Sequence, residues 1–165
     1  MLYPLNIDLA GRLVIVVGGG TVAERKVSGL LAAEADISVR VIAPNVTPNL
    51  RMIASAKKIT WIKENYAQNM LKGAFLVYAA TNEYSVNMAV ADEAKVCGAL
   101  VNVIDDPNAS SFQLPATLRR GDFLLTVSTG GGSPALSRAI RMEMEQLYPP
   151  AFGLWLERVA RLRSE

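Results

Sequence analysis

Apolar and polar positions follow two different rhythms along this chain. Short β-branched runs, LVIVV at 13 to 17, ISVRVI at 37 to 42, ITWI at 59 to 62, FLVYAA at 75 to 80 and LVNVI at 100 to 104, are continuous enough for strands covered on both faces. Between them AERKVSGLLAAEA at 23 to 35, PNLRMIASAKK at 48 to 58 and SVNMAVADEAKVCG at 85 to 98 place apolar residues three and four apart, as crossover helices do. A short fourth helix is expected from Tyr66 to Lys72. Alternating β and α units of this length predict a Rossmann-like α/β fold, a doubly wound parallel sheet with helices on both faces.

The rhythm changes after Phe112. QLPATLRRGDFLLTVSTGGGSP reads as two short strands joined by a turn near Arg120-Gly121-Asp122, followed by a glycine-rich loop. Ser133 is a natural N-cap with Pro134 at the first helical position, and ALSRAIRMEMEQL continues with apolar residues at 135, 136, 139, 140, 144 and 147 until Pro149-Pro150 stops it. In the tail AFGLWLERVARLR, the residues Phe152, Leu154, Trp155, Val159 and Leu162 make an apolar stripe for a short C-terminal helix.

Composition narrows the chemistry. With no histidine among 165 residues there is no Ser-His-Asp triad, no histidine base and no histidine metal ligand, so acid-base work falls to carboxylates, Lys, Tyr or Cys97. A net charge of +2 without a block of like charges gives no reason to expect nucleic acid or an anionic membrane as partner. The lone Cys97 cannot form an internal disulfide and is expected as a small buried helix residue. The start MLYPLNIDLAGR lacks the basic and apolar regions of a signal peptide, and no apolar run reaches membrane-span length, so a cytoplasmic location is expected.

Gly18-x-Gly20-x-x-Ala23 follows an expected strand and opens an expected helix, the context in which such a motif binds a dinucleotide. The first glycine permits the tight turn, the second lets the pyrophosphate approach the backbone, and Ala23 brings the helix close to the sheet. A glycine turn without a ligand is the competing reading. The acid usually found at the second strand end is missing, since VRVIAPN offers Ala43 and Pro44 instead. Arg40 there is read as a solvated strand residue in preference to a 2′-phosphate ligand. The fourth strand ends in Thr81-Asn82 and the fifth in Asp105-Asp106-Pro107, both at carboxyl ends where open sheets bind ligands.

With these residues in view, the chain resembles the precorrin-2 dehydrogenase and sirohydrochlorin ferrochelatase family, of the siroheme synthase N-terminal type. The pieces that carry the resemblance are YPLNIDLAGRLVIVVGGGTVAERK, VIAP, YAATNEYSVN, VNVIDDPNASSFQLPA and RRGDFLLTVSTGGGSPALSRAIRMEME, covering most of residues 3 to 145 in the family's order. The resemblance implies NAD-dependent oxidation of precorrin-2 to sirohydrochlorin, a tetrapyrrole substrate, and a homodimer. It also raises Fe²⁺ insertion as a second activity, with Fe²⁺ as substrate and no assignable metal ligands; some members are dehydrogenases alone. It puts the family aspartate on Asp105 and cofactor contacts on Thr21, Val22, Ile42 and Ala43, with backbone groups at 42 and 43 replacing the absent acid; Gly18 and Gly20 of the glycine motif and Thr81 and Asn82 at the fourth strand end complete the expected cofactor site.

On this reading residues 1–112 form the NAD-binding Rossmann domain, 113–147 a dimerisation segment of hairpin plus helix, and 148–165 the start of a C-terminal helical region shorter than in family members. A substrate with eight carboxylates calls for cations and free N–H groups. Arg119, Arg120, Arg138 and Arg141 cluster around the loop Ser128-Thr129-Gly130-Gly131-Gly132-Ser133, and Ser128, Thr129, Gly130, Arg120 and Arg138 are the expected substrate contacts. Solvated arginines and a plain helix-start loop are the alternatives. Two rival functions stay in view: an NAD(H)-sensing Rossmann regulatory domain without catalysis, and a dehydrogenase for a small hydroxy or amino acid. The second lacks an evident base paired with a clamping arginine.

Overall fold

The computed structural model describes residues 2–33 and 36–163. Five parallel strands, β1 (Leu13–Val17), β2 (Ser38–Ile42), β3 (Thr60–Ile62), β4 (Leu76–Ala79) and β5 (Leu100–Val103), lie in the order β3-β2-β1-β4-β5. Helices α1 (Thr21–Leu31), α2 (Pro48–Ser55) and α3 (Tyr84–Val96) make the crossovers. This is the expected Rossmann-like architecture, with its strand order reversing at β1 and β4.

Strand alternation divides the core between the two faces of the sheet. Val14, Val16, Val39, Val41 and Tyr78 turn to the side where Ala23, Val27 and Leu30 of α1 and Leu50 of α2 pack. Ile15, Val17, Ile42, Val77 and Val101 turn to the side covered by Val90, Ala91 and Ala94 of α3. Each such aliphatic side chain contributes about 1.5–3 kcal/mol when fully buried, so these strands need no help from edge polarity to hold their register.

The helices end earlier than the apolar pattern suggests. Lys57, at φ +57°, closes α2 by donating its N–H to Ala54, while Lys58 donates to Ile53. Gly98, at φ +70°, does the same for α3, with Gly98 donating to Lys95 and Ala99 to Ala94. Cys97 is the exposed cap of that helix and not a buried residue within it. Helix α1 stops at Leu31, just after Leu30, its last buried position. The expected extension to Glu34 and Ala35 lies outside the described residues.

No helix forms from Tyr66 to Lys72. Asn69 and Gly73 both adopt positive φ, which a helix excludes, and turns occupy the stretch. The buried carboxylate of Glu93, on α3, organises it by accepting hydrogen bonds from Asn69 N (3.0 Å), Leu71 N (2.8 Å) and Tyr66 Oη (2.5 Å). Burial and that carboxylate push the Tyr66 phenol well above its ordinary range.

By its contacts the chain separates into one unit of residues 6–113 and another made of 1–5 and 114–165. In the second unit β6 (Ala116–Arg120) and β7 (Phe123–Val127) form a hairpin, with Arg120 paired to Phe123 and Gly121 at φ +60° in the two-residue turn. Helix α4 (Pro134–Leu147) begins as expected, with Ser133 Oγ accepting from Leu136 N. Helix α5 (Ala151–Leu162) departs from the stripe read in the sequence. Leu154, Trp155 and Leu162 are exposed, while Gly153 is buried. A Cβ at Gly153 would stand 2.8 Å from the carbonyl oxygen of Arg120, so the missing side chain lets the helix approach the hairpin. Phe123, Tyr148, Phe152 and Trp155 stack in sequence alongside, with centroids 4.9 to 5.3 Å apart.

Candidate functional site

The loop after β1 is built from three glycines with three different duties. At Gly18, φ is +124° and a Cβ would meet the Ala80 carbonyl oxygen at 2.2 Å, so only glycine lets β1 turn this close to the end of β4. At Gly19 a Cβ would stand 1.9 Å from the Asn45 carbonyl oxygen, which ties the loop to the segment after β2. At Gly20 no protein atom lies within 4 Å of that position. Gly20 is the N-cap of α1 without any side-chain cap, so the first N–H groups of the helix face open space and favour an anion. This is a cradle that fits a pyrophosphate.

A polar brace holds the cradle in place. Glu24, in the first turn of α1, accepts hydrogen bonds from Thr47 Oγ1 (2.5 Å) and Asn49 Nδ2 (2.9 Å), and these hold its carboxyl below the usual range. Thr47 donates its own N–H to the Gly19 carbonyl and caps α2 through Leu50 N. None of Gly19, Glu24, Thr47 or Asn49 stands out in the sequence as a site residue, although GGG and the T-P helix start are the traces they leave.

Around this loop, Thr21 is exposed at the start of α1 and Val22 is partly buried. Ile42 and Ala43 are buried, and their backbone is largely engaged within the protein. Ile42 O accepts from Gly18 N, Ala43 N donates to Ile62 O, and Ala43 O accepts from Trp61 Nε1 at 2.9 Å. At the end of β4, buried Asn87 fixes Thr81 by accepting from its N–H (3.1 Å) and donating to its carbonyl (3.0 Å), with the two side-chain oxygens 2.7 Å apart. Asn82 is exposed beside it.

The two aspartates after β5 differ in kind. Asp106 Oδ1 accepts from the N–H groups of Asn108 and Ala109, both at 3.0 Å, so its carboxylate is spent on the turn. Asp105 is exposed, at φ +57°, on the strained side of the backbone map. From α1, Lys26 places its Nζ 5.4 Å from the centroid of the Tyr78 ring, and burial holds its ammonium below the ordinary lysine range. Its sequence neighbours alone do not mark Lys26, because Tyr78 comes from the later strand β4.

In the second unit, the loop before α4 bonds largely to itself. Gly130 N donates to Ser128 Oγ, Gly132 N to Thr129 O, and Ser133 N to Thr129 Oγ1, which leaves fewer free N–H groups than the glycines suggest. Thr129 Oγ1 also lies 3.2 Å from the buried Ser137 hydroxyl. Arg120 is partly committed, donating through Nε to Tyr148 O and through Nη1 to Arg119 O, both at 3.0 Å. Arg141 pairs with Glu145, whereas Arg119 and Arg138 are exposed.

A groove of about 740 Å³ lies elsewhere, along α3, lined by Tyr66, Asn69, Lys72, Ala89, Glu93 and Cys97, and it contains none of the glycine-loop residues. Among the described residues no cluster of three His, Cys, Asp or Glu side chains could hold a metal ion, and no helix is long and apolar enough to cross a membrane.

Comparison with known proteins gives concordant matches. Residues 5–116 match the family described as "Putative NAD(P)-binding". Siroheme synthases of Neisseria meningitidis serogroup B (38% identical over 162 residues) and Nitrosococcus oceani (40% over 161) each align with 98% of this chain. The chain spans only 33% and 34% of their respective lengths. Among solved structures, SirC, a precorrin-2 dehydrogenase, superposes with a TM-score of 0.80 at 27% identity, over 99% of this chain and 79% of that one.

Proposed function

Because the chain belongs to the NAD(P)-binding family, within the group that holds the siroheme synthases and SirC, we propose that it oxidises precorrin-2 to sirohydrochlorin with NAD⁺. The observation that carries this reading is the open cradle at Gly20 beside the carboxyl ends of β1 and β4, with the unspent carboxylate of Asp105 at the end of β5. Gly18, Gly20, Thr21 and Val22 hold the pyrophosphate, while Ile42, Ala43, Thr81 and Asn82 line the nucleoside portions. NAD⁺, when bound, supplies the hydride acceptor.

The chain's own share of the chemistry is the proton. Oxidation of a reduced macrocycle also requires that a proton leave, and we assign its acceptance to Asp105, whose carboxylate is exposed to solvent. Asp106 holds the turn that presents its neighbour. Ser128, Thr129, Gly130, Arg120 and Arg138 are the proposed contacts for the substrate's carboxylates, with the Gly131 N–H and the Arg138 guanidinium the groups most available for them. The proposed assembly is a homodimer through residues 113–147, supported by Leu136, Met142 and Leu147, which stay exposed on α4. The proposed location is the cytoplasm, where the thiol of Cys97 stays reduced.

The test is the absorbance change when precorrin-2 and NAD⁺ are mixed with the protein, with and without Fe²⁺ as a second substrate. Asp105→Ala is expected to slow oxidation by about 10²- to 10⁴-fold with NAD affinity little changed, and Asp106→Ala to act mildly through the turn. NAD binding without any turnover or tetrapyrrole binding would point instead to an NAD(H)-sensing regulatory domain. Gly20→Val should weaken NAD binding by calorimetry in a protein that melts like the parent, since its side chain enters the cradle and meets no protein atom.

A further inference from the structure

The glycine loop carries one N–H whose direction is set from outside the loop. The Gly20 N–H has no hydrogen-bond partner among the described residues. It belongs to the Gly19–Gly20 peptide, which is trans and planar, so the N–H points opposite to the Gly19 carbonyl. That carbonyl is already engaged, since the Thr47 N–H donates to it at 3.0 Å. The bond turns the carbonyl towards the segment after β2 and the Gly20 N–H away from it.

Thr47 is itself held by both helices. Its hydroxyl donates to Glu24 Oε2 on α1 (2.5 Å) and accepts from Leu50 N on α2 (3.2 Å). Asn49 Nδ2 takes the other Glu24 oxygen at 2.9 Å. The segment also lies tight against the loop, because a Cβ at Gly19 would stand 1.9 Å from the Asn45 carbonyl oxygen and 3.0 Å from Ala43 Cβ. Little room is left for the peptide to turn over.

Glu24 is the unexpected member of this set. It sits in the first turn of α1, at the same helix end that forms the cradle, and a carboxylate there repels a phosphate. Its charge opposes the ligand, so its presence is explained by what it holds. We propose that Thr47, anchored by Glu24, is a positioning residue for the cofactor's pyrophosphate: it fixes the Gly19–Gly20 peptide so that the Gly20 N–H is aimed at a phosphate oxygen before the ligand arrives. The inference rests on the glycine loop being the pyrophosphate site. A donor already held in place loses little freedom on binding, and a bond to a charged acceptor is about twice as strong as a neutral one.

The experiment uses the full chain with Thr47→Val, Thr47→Ser and Glu24→Ala, titrated with NAD⁺, ADP and adenosine by calorimetry and by NMR of the Gly20 amide. Thr47→Val and Glu24→Ala are each expected to weaken NAD⁺ and ADP about tenfold, the worth of about one charge-assisted hydrogen bond, and to leave adenosine binding as in the parent. Thr47→Ser keeps both the hydroxyl and the N–H and binds all three ligands like the parent. Glu24→Ala is the sharpest arm, because removing a negative charge beside an anion would by itself tighten ADP. In the parent, the Gly20 amide proton moves downfield with ADP and not with adenosine.

ADP binding that is unchanged or tighter in Glu24→Ala overturns the proposal. A loss in Thr47→Val that adenosine shares equally also overturns it, since that is damage to the fold and not to the aim of one N–H, and so does a Thr47→Ser as weak as Thr47→Val. A Gly20 amide that stays in place when ADP saturates the parent overturns it even if neither variant folds, and leaves the cofactor reading standing. A parent that binds neither NAD⁺ nor ADP removes the pyrophosphate site, and the positioning role with it.

Discussion

The two units of this chain stabilise themselves by different means. Residues 6–113 enclose both faces of a sheet, and Val14, Ile15, Val16, Val27, Val41, Val77 and Val101 lie fully buried there. Residues 114–163 contain one fully buried large apolar side chain, Leu118, among those described, together with a row of half-buried aromatic rings. On the same unit Leu136, Met142, Leu147, Leu154, Trp155 and Leu162 remain exposed. The first unit buries most of its large apolar side chains between sheet and helices, leaving Ile7, Met52, Tyr84 and Val96 exposed singly. The second encloses far less and carries a denser set of exposed apolar side chains, the surface on which the proposed homodimer rests.

The largest effect that would break this contrast lies in the glycine loop. Gly18→Ala forces a side chain onto the Ala80 carbonyl at an unfavourable φ, and should destabilise residues 6–113 by about 3 kcal/mol or more in denaturant unfolding. A loss below 1 kcal/mol would mean that this unit is less tightly packed than its burial implies. Leu118→Ala should cost about 2–4 kcal/mol, read by hydrogen exchange as loss of protection in β6, β7 and α4 with the five-stranded sheet still protected. Uniform loss across both units would show that they unfold as one.

Smaller effects sharpen the contrast. Leu136→Asp and Met142→Asp should change the folding stability of the chain by about 0.5 kcal/mol or less, yet shift sedimentation at micromolar concentration from dimer towards monomer. A monomeric parent would contradict the proposed assembly. The smallest effect is a pH dependence confined to the first unit. Glu24 has a depressed folded-state pKa, so its stabilising share is complete above the ordinary carboxylate value of 4.5 and is lost as pH falls through the lower folded value. Thr47→Val removes hydrogen bonding to Glu24 and should flatten the acid-side fall in melting temperature; an unaltered slope would show that the brace carries no linked stability.

Most of the sheet was legible because its strands are continuous apolar runs, and α4 was legible because Ser133-Pro134 opens it and Pro149 follows its end. What stayed hidden depends on residues far apart in the chain. The face that α5 buries depends on Gly153, which looks like a helix weakness until the Arg120 carbonyl is seen beside it. The different duties of Asp105 and Asp106 emerge only from the fold, where Asp106 accepts from the N–H groups of Asn108 and Ala109. Lys26 lies within the family motif, but the ring it rests against, Tyr78, arrives from β4. The expected helix at 66–72 failed for the same reason, since local periodicity cannot register a carboxylate supplied from α3.

That carboxylate also orders events in time. The stretch from Tyr66 to Leu71 leaves the ribosome before Glu93 exists, so its fold is a debt to a helix not yet made. Its N–H groups at 69 and 71 find that acceptor only where α3 presents it, whatever β1, β2 and β3 have already achieved. Substitutions at Asn69 should accordingly leave the folding rate nearly untouched and appear in the unfolding rate, the signature of a contact completed after the transition state.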